Sequence, residues 1–220
     1  CGGIAGATAI AVEESDSAKG QVLMLGGRDE YRVALSTVHL VDLASGVCTL
    51  QPGSALVGAS FNFTAVRMPD GRVVVCTGRG GSHPSPVSAQ VLGPPADEAT
   101  DTACTWTRLP AMSVSRNEFC GCVMSDGRFV VLGGYIGGGN STSSCEAQMV
   151  TKGAHCVSLP PMHRARCSFV CAAVARCIIV AGGLNTTSAE VYDEALNRWI
   201  RLPCDFPSSS CRAGICSTLL

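Results

Sequence analysis

The chain carries short apolar runs that each end in glycine. Residues 128–134 read Arg-Phe-Val-Val-Leu-Gly-Gly, and the apolar part of this run is too short for a helix. Its composition predicts a buried strand, and the glycines predict a turn that needs a positive φ or a close backbone approach. Three further runs have the same form, at residues 21–27, 72–78 and 177–183.

The runs recur at a nearly constant distance. The last glycine of each run is Gly27, Gly78, Gly134 or Gly183, so the steps are 51, 56 and 49 residues. A period of this size is typical of a repeat architecture. Each run is preceded by another apolar segment, and twice the two are separated by Asp-Gly, at 70–71 and 126–127, which predicts a tight hairpin turn.

The second half of each unit predicts two more strands. After the glycines comes a polar loop, then a third strand, a turn, a fourth strand and a proline. The proline follows a Trp or Cys by four residues in every unit, as Cys48/Pro52, Trp106/Pro110, Cys156/Pro160 and Trp199/Pro203. Four short antiparallel strands in about 50 residues are typical of one blade of a β-propeller.

These motifs together resemble kelch repeats. The resemblance rests on the glycine pair, on Tyr192 followed by Trp199, and on the Leu-Pro-x-Met-x-x-x-Arg link at 109–116 and 159–166. In the other units Val41/Cys48, Leu92/Trp106 and Met149/Cys156 replace the Tyr/Trp pair. This register predicts that Cys48 and Cys156 are buried at blade interfaces. The signature positions are Gly26, Gly27, Gly78, Gly133, Gly134, Gly182, Gly183, Trp106, Tyr192 and Trp199.

The fold class is therefore expected to be all-β, a kelch-type β-propeller of four blades with four antiparallel strands each. The blades are expected at 1–52, 53–110, 111–160 and 161–203. Residues 204–220 are expected to hold the first strand of a fifth blade, so the chain reads as a fragment of a six-bladed ring. The alternative is an open or shortened ring that a partner copy closes.

Charge and composition argue against several classes of binding partner. The 220 residues include 16 Lys and Arg against 17 Asp and Glu, which argues against nucleic acid or an anionic membrane as a partner. No apolar run reaches the length of a membrane span. The 14 cysteines include no C-x-x-C pair, so no metal site is predicted. They are interpreted as reduced packing residues in a cytoplasmic protein, and a disulfide-bonded extracellular domain remains the alternative.

Catalytic signals are weak. The four histidines share no ligand spacing, and no nucleophile motif or phosphate loop is present, so neither catalysis nor a cofactor is predicted. His163, Arg164 and Arg166 are interpreted as a basic but solvated lip on one link. The kelch resemblance implies that Arg116 and Arg166 are structural. An enzyme would need His, Tyr, Arg or acidic side chains that converge at a central channel mouth.

Function is expected in the loops that follow the glycine pairs. The resemblance implies a non-catalytic protein-protein interaction scaffold, for instance the substrate-recognition part of a ubiquitin-ligase adaptor. The alternative is a galactose-oxidase-like or sialate-mutarotase-like enzyme, or a carbohydrate-binding propeller. The candidate partner-binding residues are Arg28, Asp29, Glu30, Tyr31, Arg32, Arg79, His83, Tyr135, Asn140 and Asn185.

Overall fold

The computed structural model describes residues 4–12, 20–51, 55–56, 58–59, 63–77, 88–93, 106–150, 155–205 and 217–219. Gly78, Arg79 and His83, three of the predicted signature and loop residues, lie outside these ranges. Every regular element in the described ranges is a β-strand. The part of the chain that the structure describes contains no helix with the length and apolar character needed to cross a membrane.

The strands form four successive sheets, each built from one sequence repeat. The first contains β1 (Thr8–Val12), β2 (Gln21–Leu25), β3 (Val38–Asp42) and β4 (Cys48–Leu50). The second contains β5 (Thr64–Arg67), β6 (Val73–Thr77), β7 (Ser88–Leu92) and β8 (Trp106–Arg108). Each is an antiparallel meander in which sequential strands are neighbours. The all-β prediction and the four strands per unit are therefore confirmed for these repeats.

The third and fourth sheets follow the same plan with additions. The third contains β9 (Cys120–Val123), β10 (Phe129–Leu132), β13 (Cys145–Gln148) and β14 (Cys156–Leu159). Its loop after the glycine pair forms a small hairpin, β11 (Tyr135–Gly137) with β12 (Asn140–Ser141), which the sequence pattern did not predict. The fourth contains β15 (Val170–Val174), β16 (Cys177–Ala181), β17 (Ser188–Asp193), β18 (Arg198–Asp205) and β19 (Ser217–Leu219).

The last strand differs from the prediction. Residues 217–219 do not begin a separate sheet; β19 pairs in parallel with β15 as a fifth strand of the fourth sheet, with Cys171 opposite Ser217. Strand β15 is the first strand of the fourth meander and forms one of its edges, and an edge strand presents unpaired backbone groups to any segment nearby. The sequence shows that a segment is strand-like, but not which free edge it will join.

The turns around each sheet behave as the glycines predicted. Gly71 and Gly127 have φ of 85° and 82°, and each lies in a hairpin turn between the first two strands of its sheet. Gly134 has φ of 112°, and a Cβ there would lie 2.9 Å from the backbone oxygen of Asn117. Gly183 has φ of 117° and meets the Cys167 oxygen in the same way. Both reasons for glycine, positive φ and close approach, therefore hold.

Hydrophobic clusters lie between consecutive sheets. One joins the first and second sheets through Leu25 and Val75, one joins the second and third through Val74 and Val131, and one joins the third and fourth. The first strands of successive sheets contact one another, β1 with β5, β5 with β9 and β9 with β15. Burial of sheet faces against the next repeat is thus the main source of the core.

The Trp-or-Cys position at the start of each fourth strand does not bury equally. Trp199 is 6% exposed and packs between the third and fourth sheets, with its ring centroid 5.3 Å from that of Tyr192. Trp106 is half-buried against the first two sheets. Cys48 and Cys156 are only half-buried, so the prediction that both are buried is wrong in degree. A thiol is too short to fill the volume that an indole fills at this position.

The register of the third repeat also needs a correction. Cys156 pairs with Gln148 and not with Met149, which is 40% exposed. In the fourth repeat Tyr192 pairs with Trp199, and in the first Val41 pairs with Cys48, as predicted. The connection in the third repeat is therefore one residue longer than the constant spacing assumed.

Candidate functional site

The topology brings two sets of connections to one end of the sheets. In an antiparallel meander, the loop between the second and third strands and the link to the next sheet leave from the same end. We call this end the loop face; it comprises residues 26–37, 133–144 and 182–187 together with the links at 109–119 and 159–169. Direct contacts join the two sets, since Gly134 N donates to Arg166 O at 2.7 Å and Thr142 O accepts from Arg166 N at 3.2 Å.

A buried arginine ties each of the last two links to its own sheet. In the third repeat, Arg116 Nη1 donates to Gly133 O at 3.0 Å and to Ser144 O at 2.9 Å, and Nη2 donates to Ser144 Oγ at 3.0 Å. Nη2 also binds Glu146 Oε1 in an ion pair whose side chains are 0% and 2% exposed. The guanidinium therefore satisfies carbonyl groups at both ends of the loop.

The fourth repeat contains the same arrangement of a buried arginine, the loop carbonyls and a glutamate, which we call the arginine clamp. Arg166 Nη1 donates to Gly182 O at 2.8 Å and to Ser188 O at 2.6 Å. Its Nη2 donates to Ser188 Oγ at 2.8 Å and to Glu190 Oε1 at 2.9 Å. The predicted structural role of both arginines matches this geometry, but Arg166 is fully buried and does not belong to an exposed basic lip.

The remaining carboxylate oxygens hold the links. Glu190 Oε2 accepts from the backbone N of His163 at 2.7 Å and lies 2.9 Å from His163 Nδ1, while Oε1 also accepts from Arg164 N at 3.1 Å. Burial acts to raise the pKa of Glu190, but hydrogen bonds from Arg166 and His163 outweigh it and hold the pKa below the ordinary value. Glu190 is therefore a buried, ionised carboxylate, both of whose oxygens accept hydrogen bonds, and it holds the link in place.

Some of the predicted partner-binding residues of the first repeat fix the backbone of the loop, and the others are exposed on its surface. Arg28 is half-buried and its backbone bridges to Ala5 and Ala34. Asp29 Oδ1 accepts from Tyr31 N at 3.0 Å and Val33 N at 2.8 Å, which fixes the turn. Glu30 and Arg32 are exposed, and Tyr31 is 79% exposed. The structure thus presents Tyr31 on a loop whose backbone is held internally.

The predicted residues of the later repeats also lie on the loop face. Tyr135 is half-buried, pairs through its backbone with Asn117, and accepts a 3.0 Å hydrogen bond at its hydroxyl from Gly139 N. Asn140 is exposed on the small hairpin. Asn185 is exposed in a left-handed conformation with φ of 60°. Asn185 lines a cavity in the fourth repeat.

That cavity, of about 490 Å³, opens on the loop face of the fourth repeat, and we call it the Arg164–Arg201 pocket. Its lining combines the link, the loop after the glycine pair and strands β17 and β18. The polar residues that line it are Arg164, Asn185, Thr186, Thr187, Ser188, Glu190, Arg201 and Asp205.

Sequence reasoning missed most of this pocket. Glu146 and Glu190 each stand two residues after a serine in the third main strand of their sheets, and the same position holds His39 and Gln90 in the first two repeats. The two repeats that carry a glutamate at this position are also the two that carry Arg116 and Arg166 in their links. This co-occurrence in the sequence could have indicated the two ion pairs. Arg201 and Asp205 carry no comparable pattern.

The described cysteines serve the packing. Nine are not joined in disulfides, and Cys76, Cys122 and Cys171 are buried in strands as small apolar residues. Burial raises the pKa of Cys145 and Cys156 to about 12, so these thiols are protonated and poor nucleophiles near neutral pH. Among the residues described, no group of three or more His, Cys, Asp or Glu side chains is arranged to hold a metal ion.

Comparisons with known proteins bear on the fold alone. No protein-family model matches the chain. No curated protein matches it either. The solved structure of YjhT is similar, with a TM-score of 0.74 at 10% sequence identity over 98% of this chain and 74% of that one. At that identity the likeness establishes a shared all-β architecture and says nothing of activity.

Proposed function

We propose that this chain is part of a kelch-type β-propeller that acts as a non-catalytic protein-binding scaffold through its loop face. The propeller assignment is supported by the recurring four-stranded meander and by the contacts between the first strands of successive sheets. The hydrophobic clusters between consecutive sheets also support it. In this proposal the buried arginine clamps keep the links and loops in register, so that the loop face is a rigid surface.

The observation that carries the binding role is the composition of the loop face. Large apolar side chains are exposed there on two separate loops, with Tyr31 at 79% and Val33 at 58% on the first and Leu184 at 46% on the other. Their backbones are nevertheless fixed by hydrogen bonds such as Leu184 N to Cys167 O at 2.9 Å. Rigid loops that present an aromatic anchor among charged residues suit a protein interface, because little ordering entropy is lost on binding.

The nine described cysteines that are not joined in disulfides fit a reducing compartment such as the cytoplasm. Within the scaffold class, recruitment of targets to a ubiquitin ligase is the particular role that the kelch resemblance implies. It would require a further ligase-binding segment in the native protein.

A carbohydrate-binding or catalytic propeller is the second candidate. The amide and hydroxyl groups of Asn185, Thr186 and Ser188 along the pocket favour it, since such groups recognise sugars. Against it, the described lining comes from the third and fourth strands of the sheet, β17 and β18, and includes no residue of β15 or β16. A glycan array that shows saturable sugar binding, lost in an Asn185→Ala variant, would favour this candidate.

The scaffold proposal can be tested by differential capture. The tagged native chain is compared with a loop-face variant, Tyr31→Ala/Leu184→Ala, and with a control variant, Leu43→Ala/Leu196→Ala. The control leucines are 62% and 55% exposed on turns at the opposite end of the sheets. Proteins captured from cells by the native chain and the control, but not by the loop-face variant, support the proposal. Equal capture by all three chains overturns it.

A further inference from the structure

The Arg164–Arg201 pocket has a charge distribution that points to its ligand. We propose that it is a carboxylate-binding site that takes an acidic side chain of a partner protein segment. This inference rests on the proposed scaffold function, because it names the chemistry by which one part of the loop face would select a partner.

Two arginines, Arg164 and Arg201, are among the residues that line the pocket. Arg164 and Arg201 are both exposed, and neither side chain forms an ion pair within the described part of the chain. The nearby Glu190 carboxylate is already occupied by Arg166 and His163. Asp205 is the one other acidic side chain among the lining residues, so the pocket retains an excess of positive charge. Guanidinium groups bind carboxylates through paired, charge-assisted hydrogen bonds.

The fold does not require these two arginines. The third repeat builds the same clamp, and the position that corresponds to Arg164 there is Val114, two residues before the clamp arginine. Arg201 pairs with Glu190, and its counterpart Ser158 pairs with Glu146. An identical clamp thus forms with an apolar and a hydroxyl residue at these positions. The positive charges of Arg164 and Arg201 are consequently not needed to form the fold, and they distinguish the pocket of the fourth repeat from the third repeat.

The pocket is also rigidly built. The backbone N of Arg164 is anchored to Glu190 Oε1 at 3.1 Å, and Glu190 is held by the buried Arg166. On the loop side, Thr186 is 8% exposed, and its hydroxyl lies 3.0 Å from that of Ser188. Asn185 is held at a φ of 60°, beside them, where its exposed amide can donate to an incoming oxygen. Donors that are already in place lower the entropic cost of binding.

The charge is local, and this favours selective recognition over general attraction. The whole chain has a formal charge of −1, so it does not attract acidic segments by its overall field. The cavity of about 490 Å³ has room for one or two side chains of an extended segment and is too small for a folded element. A peptide with adjacent acidic residues matches both the size and the charge.

The test uses a fluorescein-labelled hexaglutamate peptide as probe, with labelled hexaglutamine as the neutral counterpart, and reads binding by fluorescence anisotropy. The pocket variant is Arg164→Val/Arg201→Ser, which installs the residues of the third repeat and should therefore fold. The control variant is Arg176→Val/Arg198→Ser, which removes two exposed arginines from the opposite end of the same sheet. Thermal unfolding of each variant checks that the fold is retained.

We expect the native chain to bind hexaglutamate more tightly than hexaglutamine. We expect the pocket variant to lose about tenfold or more in affinity, because it removes both donors of charge-assisted hydrogen bonds to the carboxylates. The control variant should stay within about twofold of the native chain. Equal loss in both variants, or no preference for hexaglutamate over hexaglutamine, would overturn the carboxylate site.

Two further arms separate the possible outcomes. Full displacement of the peptide by free acetate or free glutamate at equal carboxylate concentration would indicate a small-molecule anion site and overturn the assignment to a protein segment. The capture experiment is repeated with the pocket variant. Partners that are lost with Tyr31→Ala/Leu184→Ala but retained by the pocket variant would leave the scaffold function standing and overturn this site alone.

Discussion

The third and fourth repeats use the same arginine–glutamate clamp but expose different surfaces around it. Arg116 and Arg166 make matching bonds to the glycine pair, to the serine that starts the third strand and to a buried glutamate. Beside the clamp, the third repeat has Val114 where the fourth has Arg164. The buried part is constrained by hydrogen-bond satisfaction, whereas the exposed part is free to carry function.

The two repeats also differ in what covers them. In the third sheet, Cys122, Val130 and Ala147 lie opposite one another and are all buried against the fourth sheet. The corresponding residues of the fourth sheet include Ile179, which is 37% exposed. The same apolar row therefore stabilises one sheet more than the other, since burial and not composition provides the free energy.

The largest expected effect concerns the clamp that both repeats share. Arg116→Met and Arg166→Met should each lower the free energy of unfolding by about 3–5 kcal/mol, because each leaves a buried glutamate without its partner. Urea denaturation measures this. Arg164→Met, at an exposed position, is the control and should change stability by less than about 0.5 kcal/mol. A loss below about 1 kcal/mol at Arg116 would contradict the buried ion pair.

The next effect sharpens the difference at the sheet interfaces. Trp199→Ala should cost about 3–5 kcal/mol, because the indole is buried and its Nε1 donates to Pro160 O at 2.9 Å. At the matching position, Cys156→Ala should cost less than about 1 kcal/mol, since the thiol is half-buried. Equal losses in chemical denaturation would contradict the difference in burial between the two positions.

A smaller effect distinguishes two matching glycines. Gly133 and Gly182 have φ of 57° and 68°, so an alanine at either costs about 1 kcal/mol in backbone strain. A Cβ at Gly133 would also lie 2.7 Å from Arg166 O, whereas nothing lies within 4 Å of one at Gly182. Gly133→Ala should therefore destabilise by roughly 1–3 kcal/mol more than Gly182→Ala. Equal melting temperatures of the two variants would argue against the contact with the next link.

The smallest effect is a pH dependence specific to the fourth repeat. The pKa of Glu190 in the folded protein lies below its ordinary value of 4.5, so the ionised carboxylate stabilises the fold above that pH. This contribution is lost as the pH falls through the lowered pKa. The free energy of unfolding of Glu190→Gln should accordingly fall less steeply with acidification, in urea titrations from about pH 5 to about pH 3. Parallel slopes for native and variant chains would contradict the lowered pKa.

Much of the fold could be predicted because the signals are local. Alternation of apolar runs with Asp-Gly turns gave the hairpins of β5 with β6 and β9 with β10. The predicted pairing of Met149 with Cys156 was wrong, because the spacing of residues in the sequence does not show how many residues the connection between two strands contains. The prediction also failed for Cys48, since the volume available at an interface depends on the neighbouring sheet.

The sequence by itself determined the repeat, its strands and the turns that need glycine, because steric limits on φ and the two-residue period of a strand act within a few residues. Only the tertiary structure decided the pairing of Arg116 with Glu146, 30 residues away, and of Arg166 with Glu190, 24 residues away. It likewise decided that Arg164 and Arg201 share one pocket. Such contacts depend on how sheets and links pack, and no local pattern in the chain specifies that packing.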